Sequence, residues 1–136
     1  METPPLPDFT LVEHAAAVVA VFGQFNLYDA EIRALRFARG PDYEGSFEVD
    51  FHLPGEFASG VAESARACEY RITLRCDDVA DLTLEGFGRQ NVVGDYCFQQ
   101  ISPPSAGTRG VQVRIDGTVG GSIDLLCRGV RVLNVG

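Results

Sequence analysis

Apolar and polar residues alternate with a period of two over much of this chain, and that period indicates β-strands with one buried face. The clearest run is residues 46–53, which Pro54-Gly55 ends, and a second run covers residues 68–76. The side chains predicted to face the core are Phe47, Val49, Phe51 and Leu53 in the first run, and Cys68, Tyr70, Ile72, Leu74 and Cys76 in the second.

Weaker runs of the same period predict further strands. Residues 32–37 contain one irregular step that indicates a bulge. Residues 54–66 form a long connection with room for a helical turn. After the Asp77-Asp78 turn, residues 82–84 are predicted to be the hairpin partner of the strand before them, and Gly117–Gly121 is predicted to turn a later hairpin. The remaining predicted strands are residues 92–101, 111–115, 123–127 and 130–132.

One segment has the helical period instead. Apolar residues recur at helical spacing from Leu11 to Phe22, and Gly23 is suited to ending the helix. The Thr10-to-Glu13 spacing predicts a capping box at its start. The proline-rich residues 1–8 have no apolar period and predict a loosely ordered tail.

These elements predict one mainly β (α+β) domain over residues 9–136, after the tail of residues 1–8. Seven or eight short strands at this spacing favour an antiparallel sandwich or a curled sheet, with the single N-terminal helix covering one face or opening. A chain of 136 residues is long enough for one secure core.

The net charge of the chain restricts the classes of molecule that it is expected to bind. Eleven basic residues, all Arg, stand against 19 acidic ones, for a net charge of −8. Such a surface repels nucleic acid and anionic membranes, so neither is a predicted partner. It either attracts a basic protein or serves solubility alone.

The amino terminus and the cysteines predict a cytoplasmic protein. The first residues carry no positive charge that would open a secretory signal, and the apolar run at residues 15–22 is far shorter than a membrane span. Cys68, Cys76, Cys97 and Cys127 lack the close pairs of a zinc site, so they are predicted to be free thiols, with no metal and no cofactor.

Catalytic signatures are weak in this sequence. His14 and His52 belong to no recognised catalytic motif, so we predict that the chain is not an enzyme. Asp29 and Glu31 project to one side of an extended segment. They form either an acid–base pair or, more simply, part of a helix-to-strand connection in which the Asp29 side chain bonds nearby backbone amides.

Two polar groups are candidates for binding. Asp77, Asp78, Asp81 and Glu85 are dense enough to hold a cation, but they lack the spacing of an EF-hand loop, so a solvated face and an interaction patch are the simpler interpretations. Gln90-Asn91 forms either a polar turn or a place where side-chain amides tie two strands together.

Several segments between Phe22 and Val135 resemble the immunity protein 50 family of bacterial polymorphic toxin systems. The chain reads Leu27-Tyr28-Asp29-Ala30-Glu31-Ile32 where the family usually has Phe-His-Asp-Ala-Glu and an aliphatic residue. It then has Gly86-Phe87-Gly88-Arg89-Gln90-Asn91 near the family's Gly-Phe-Asn-x-Gln-Asn. The strand at residues 70–76, Val79–Leu82 and the carboxy-terminal glycine turn with its two strands also fit. Tyr28 and Gly88 depart from the family's His and Asn.

The resemblance implies an intracellular antidote that binds one cognate toxin domain, with a basic nuclease as one candidate. It would block the toxin's active site or a neighbouring surface, and Asp77, Asp78, Asp81 and Glu85 are the acidic side chains expected to face it. Tyr28 keeps a hydrogen-bonding group at the family's His position but no titrating charge. The alternative is a small-ligand-binding or hydrolytic β-domain, which a deep pocket joining His14 or His52 to a carboxylate would favour.

Overall fold

The computed structural model describes residues 9–41, 44–88, 90–101 and 110–136. The predicted tail at residues 1–8 lies outside these ranges. The elements are β1 (Val12–Glu13), α1 (Ala15–Phe22), β2 (Glu31–Arg39), β3 (Gly45–Leu53), β4 (Tyr70–Asp77), β5 (Ala80–Glu85), β6 (Val93–Gln100), β7 (Val111–Gly117), β8 (Ser122–Cys127) and β9 (Gly129–Val135), with 3₁₀ turns at Phe9–Leu11, Gly55–Phe57 and Glu63–Ala67.

The strands form two sheets. One has the order β1-β9-β4-β3-β2 and the other the order β5-β8-β7-β6. All neighbours pair antiparallel except β1 and β9, which are parallel. The predicted mainly β fold with one N-terminal α-helix is confirmed for the described residues.

The core lies between the two sheets, as the alternation predicts. Phe47, Val49 and Phe51 of β3 are buried, and Phe98 of β6 is buried among the residues of the other sheet. The inward side of α1 contributes Ala15, Val18 and Phe22 to the same cluster. Burial of the large side chains is the main stabilising term here, at roughly 1.5–3 kcal/mol for each one that is fully buried.

The predicted start of the helix is wrong. Residues 9–11 form a 3₁₀ turn, and Val12 and Glu13 pair with Val130 and Arg131 of β9. α1 begins only after His14, which adopts the left-handed backbone conformation and makes no side-chain cap. Strand pairing buries Val12 and bonds the local backbone, so a long-range contact overrides the capping-box pattern. The predicted end is confirmed, because Gly23 is left-handed and its N–H donates to the Val19 carbonyl at 2.8 Å.

The predicted hairpin between β4 and β5 is also wrong. β4 has β3 on one side and β9 on the other, so neither of its edges is available to β5. The chain turns at Asp78, whose φ of 52° is left-handed, and enters the second sheet, where β5 pairs with β8. Cys76 is buried as predicted, whereas Cys68 precedes β4 and is exposed.

Other local predictions are confirmed. β2 shifts register between Ile32 and Ala34. The connection after β3 contains two 3₁₀ turns. β7 and β8 form a hairpin whose turn is closed by the Gly117 N–H donating to the Gly121 carbonyl at 2.7 Å. Across the described ranges, no helix combines the length and apolarity that crossing a bilayer requires.

Candidate functional site

Backbone pairing brings together two segments that are about 60 residues apart in the chain. The Asp29 N–H donates to the Val93 carbonyl at 3.0 Å, and the Val93 N–H donates to the Ala30 carbonyl at 2.8 Å. The Ile32 N–H donates to the Asn91 carbonyl at 2.8 Å. We call this pairing of residues 29–32 with 91–93 the seam. It joins the β2 edge of one sheet to the β6 edge of the other, and it includes parts of two of the segments quoted for the family resemblance.

Asp29 turns the chain into the seam. Its φ of 66° lies in the left-handed region, which short polar side chains such as Asp and Asn tolerate better than most. Its side chain is exposed. Glu31 takes part in the seam through an isolated bridge to Val92, and its carboxylate lies 3.5 Å from Arg33. Asp29 therefore lies in the connection between α1 and β2, and Glu31 is the first residue of β2.

Asn91 shapes the other side of the seam. Its side-chain oxygen accepts from the Gly88 N–H at 2.9 Å, and its amide nitrogen donates to the Gly88 carbonyl at 3.0 Å. The predicted polar turn is therefore present, while the tie between distant segments is made by the Asn91 backbone. Gln90 is exposed beside it.

Tyr28 stands at the amino-terminal end of the seam. Its ring lies 4.9 Å from the ring of Tyr96, and the Asp95 carboxylate is close enough to act on its hydroxyl electrostatically. Desolvation raises the pKa of Tyr28 above its ordinary value, and the charge of Asp95 raises it further. The phenol is therefore neutral at pH 7. The buried Tyr96 hydroxyl in turn accepts from the Leu27 N–H at 3.2 Å.

A hollow of about 380 Å³ opens beside Tyr28. Two of its aromatic side chains are unusually exposed, Tyr28 at 38% and Phe57 at 48%. Asp29 stands at the rim, and Glu56 precedes Phe57 and is exposed. The lining of this Tyr28 hollow consists of Phe22, Gln24, Asn26, Tyr28, Asp29, Leu53, Phe57 and Ser59.

The wall that carries Phe57 is held by specific hydrogen bonds. The Ser59 hydroxyl donates to the Phe22 carbonyl at 2.9 Å. The Arg66 guanidinium donates to the carbonyls of Ala58 at 3.0 Å and Ser59 at 3.2 Å. The Ser59 bond ties the connection between β3 and β4 to the end of α1, and the Arg66 bonds hold that connection together internally. The hollow is therefore preorganised, and sequence reasoning missed Phe57, whose only signal is a lone aromatic residue in a polar connection.

The four carboxylates predicted to face a partner do not form one group. Asp77 lies 2.9 Å from the Arg75 guanidinium and 3.3 Å from that of Arg131. Asp78 lies 3.0 Å from Arg128. Asp81 and Glu85 are exposed along β5. No group of three or more His, Cys, Asp or Glu suited to holding a metal ion occurs in the residues that the structure describes.

The outer face of the first sheet carries a second polar network. His52 Nδ1 lies 2.8 Å from Glu69 Oε1, and Arg33 donates to the same carboxylate at 2.8 Å through its other oxygen. The bond to His52, and then that to Arg33, lowers the pKa of Glu69. This His–carboxylate contact lies on an exposed face, and His52 does not line the Tyr28 hollow. The contact therefore belongs to a surface network that is separate from the Tyr28 hollow.

Comparison with protein-family models, curated proteins and solved structures gives no significant match.

Proposed function

We propose that this chain is an intracellular immunity protein that binds one cognate toxin domain and neutralises it. The observation that carries the proposal is the seam, since it places the two motifs of the family resemblance side by side, next to an exposed aromatic hollow. Two motifs that are distant in the sequence but adjacent in the fold can contribute to one binding surface. Binding, rather than catalysis, is the activity we assign to that surface.

The chemistry of the Tyr28 hollow suits a basic partner side chain. Exposed Tyr28 and Phe57 offer aromatic faces to a guanidinium or ammonium group, and such contacts contribute about 0.5–2 kcal/mol. Asp29 lines the hollow, the charge of Asp95 acts on Tyr28, and the exposed Glu56 directly precedes Phe57 in the chain. Arg66 is the nearby cation, and its guanidinium is bound to backbone carbonyls.

Net charge supports the same class of toxin. A charge of −8 would accelerate encounter with a nuclease-like domain, whose own active site must attract phosphate. Asp81 and Glu85 extend the negative surface along β5. Asp77 and Asp78 already form ion pairs with arginines of this chain. We therefore rank them below the residues of the Tyr28 hollow as candidates for toxin contact.

Co-expression with the toxin domain encoded beside this gene tests the function. The chain is expected to restore growth and to co-elute with the toxin on gel filtration, and association should slow as salt is raised. If the toxin kills equally with and without this chain, the proposal is wrong. An on-rate that is indifferent to salt would remove the charge argument alone.

A pair of matched aromatic variants tests the site. Phe57→Ala should weaken toxin binding by about tenfold or more, since exposed aromatic anchors dominate protein interfaces. Phe37→Ala is the control, because Phe37 is at least as exposed as Phe57 but lies at the far end of β2 from the seam. Asp29→Asn removes the rim charge while keeping a residue that accepts the left-handed backbone. If all three variants bind the toxin as tightly as the unmodified chain does, the binding site lies elsewhere and the proposed function is not affected.

A further inference from the structure

The chain passes from the first sheet to the second and back again at one place, which we call the neck. It leaves the first sheet after β4 and returns to it at β9, and strands β5 to β8 lie between these two points. Asp77 at the end of β4 pairs with Gly129 at the start of β9, and the Arg128 N–H donates to the Asp77 carbonyl at 2.9 Å. Arg128 also forms an ion pair with Asp78 at 3.0 Å. The outgoing and returning segments are therefore held side by side.

Two cysteines meet inside the neck. Cys76 directly precedes Asp77 on β4, and Cys127 directly precedes Arg128 at the end of β8. Both side chains belong to the buried core, with 3% and 0% of their surface exposed, and their thiols are neighbours. Both thiols are free in this structure. Because β4 and β8 belong to different sheets, a bond between the two sulfur atoms would link the sheets covalently.

The other two cysteines are not placed for such a bond. Cys68 is exposed and precedes β4 at the end opposite to the neck. Cys97 alternates with buried residues along β6, so its side chain lies on the outer face of the second sheet. Cys76 and Cys127 are therefore the pair that the fold selects, since their thiols are already together.

We infer that Cys76 and Cys127 are a site of oxidative modification, where a low-molecular-weight disulfide such as oxidised glutathione converts them to a disulfide that closes the neck. The thiolate of one cysteine attacks oxidised glutathione, so that a mixed disulfide forms and one glutathione leaves as its thiolate. The thiolate of the second cysteine then attacks the protein sulfur of the mixed disulfide and releases the other glutathione. The two protein thiols are oxidised to one disulfide, their two protons pass to the departing thiolates, and one oxidised glutathione is reduced to two reduced ones.

Burial determines when this exchange takes place. The neighbouring Cys127 thiol, and after it burial, raises the pKa of Cys76, so the reactive thiolate is scarce in the closed fold. Exchange therefore occurs while the chain folds or while the neck is open. The closed fold then holds the two sulfur atoms together and favours the disulfide over the two thiols. By linkage, the disulfide stabilises the fold to the same degree. In a reducing compartment the pair remains as thiols.

A variant that carries Cys68→Ser and Cys97→Ser tests the inference, because it keeps only this pair and changes no residue of the buried core. It is refolded from urea in a mixture of reduced and oxidised glutathione, alkylated, and digested with trypsin. We expect mass spectrometry to find a disulfide between the tryptic peptides of residues 76–89 and 115–128. Since the bond closes a loop of about 50 residues, the oxidised chain should unfold at about 1–2 M more urea than the same chain reduced with dithiothreitol.

Adding Cys127→Ala to this variant gives the matched control, whose urea midpoint should be the same under both conditions. A second measurement does not depend on whether that control folds. In the variant with both cysteines, the equilibrium constant for disulfide formation with glutathione should be at least about a hundredfold larger in native buffer than in unfolding concentrations of urea. Equal constants would overturn the inference. So would a refolded chain in which both cysteines remain thiols, or an oxidised chain that unfolds at the same or a lower urea concentration.

Discussion

The Asp50→Asn substitution removes one negative charge from the outer face of the first sheet while keeping the size of the side chain. Asp50 points away from the core on β3, yet the residue is only 4% exposed. It accepts two hydrogen bonds from Arg36, at 2.8 and 2.7 Å, and one from the Thr73 hydroxyl at 2.8 Å. Asparagine can still accept from Thr73, but it presents no charge to the guanidinium.

The magnitude follows from the pKa of Asp50. The bond from Arg36, and after it the bond from Thr73, lowers this pKa from 3.8 to about 2 against the opposing effect of burial. A difference of about 1.8 between the unfolded and folded chains corresponds to about 2.4 kcal/mol. Because the Arg36 side chain is 47% exposed, solvent screens the pair, and about 2 kcal/mol is the most we expect.

The direction of this pKa change determines how the stability that Asp50 contributes varies with pH. A carboxyl whose pKa is lowered in the folded chain stabilises it fully above its ordinary pKa, and that contribution is lost as the pH falls toward 2. At pH 3 about half of it should remain. Asp50→Asn should therefore cost about 2 kcal/mol of unfolding free energy at pH 7 and about 1 kcal/mol at pH 3.

Urea denaturation at both pH values measures this cost. Asp124→Asn is the control, because Asp124 is 48% exposed and lies 3.8 Å from its partner Arg114. An exposed pair of that kind is worth about 0.5 kcal/mol or less. The reasoning fails if the two variants cost the same at pH 7, or if the cost of Asp50→Asn does not change with pH.

Three further predictions concern thiols, a close contact and a phenol. In the native chain Cys68 should react with a thiol reagent at once, whereas Cys76, whose pKa is raised by the neighbouring Cys127 thiol and by burial, should react only after unfolding. Gly60→Ala should destabilise the fold by about 1–3 kcal/mol, because its methyl group would lie 2.0 Å from a backbone carbonyl of α1; Gly88→Ala, with open space around it, is the control in the same urea assay. In an alkaline absorbance titration, Tyr28 and Tyr96 should both ionise above pH 10, and Tyr28→Phe should reduce the absorbance change above pH 10 without removing a lower transition.

The local sequence pattern was sufficient to predict the structure where the outcome depends on a residue and its near neighbours in the chain. The alternation through Phe47, Val49 and Phe51 predicts a strand with one buried face, because burial of each ring depends only on which face it occupies. Gly23 ends α1 for a similarly local reason, its left-handed backbone. These predictions needed no knowledge of a distant partner.

Local pattern failed where pairing with a distant strand decided the outcome. β1 forms because Val12 meets Val130, which lies at the other end of the chain, and no property of residues 10–13 reveals that. β5 leaves β4 because both edges of β4 are already occupied. Sequence neighbours pair often enough to make a hairpin the natural prediction, but Asp78 turns the chain into the other sheet.

The candidate site shows the same division. The motifs around Asp29 and Asn91 are visible in the sequence, but their contact is a property of the fold. The predicted acidic patch was drawn from charge density alone. Charge density cannot show that Arg128 would meet Asp78, or that Arg131 would meet Asp77 through the register of β4 with β9.

The seam also affects the order in which parts of the chain can fold. Its two halves are about 60 residues apart, so closing that loop costs conformational entropy before any contact repays it. Hairpins such as β7–β8 close over a few residues and can form early, whereas the seam must wait for both sheets. A nascent or truncated chain that ends before residue 91 would therefore lack the surface we assign to toxin binding, and protection would begin only once synthesis of the whole domain was complete.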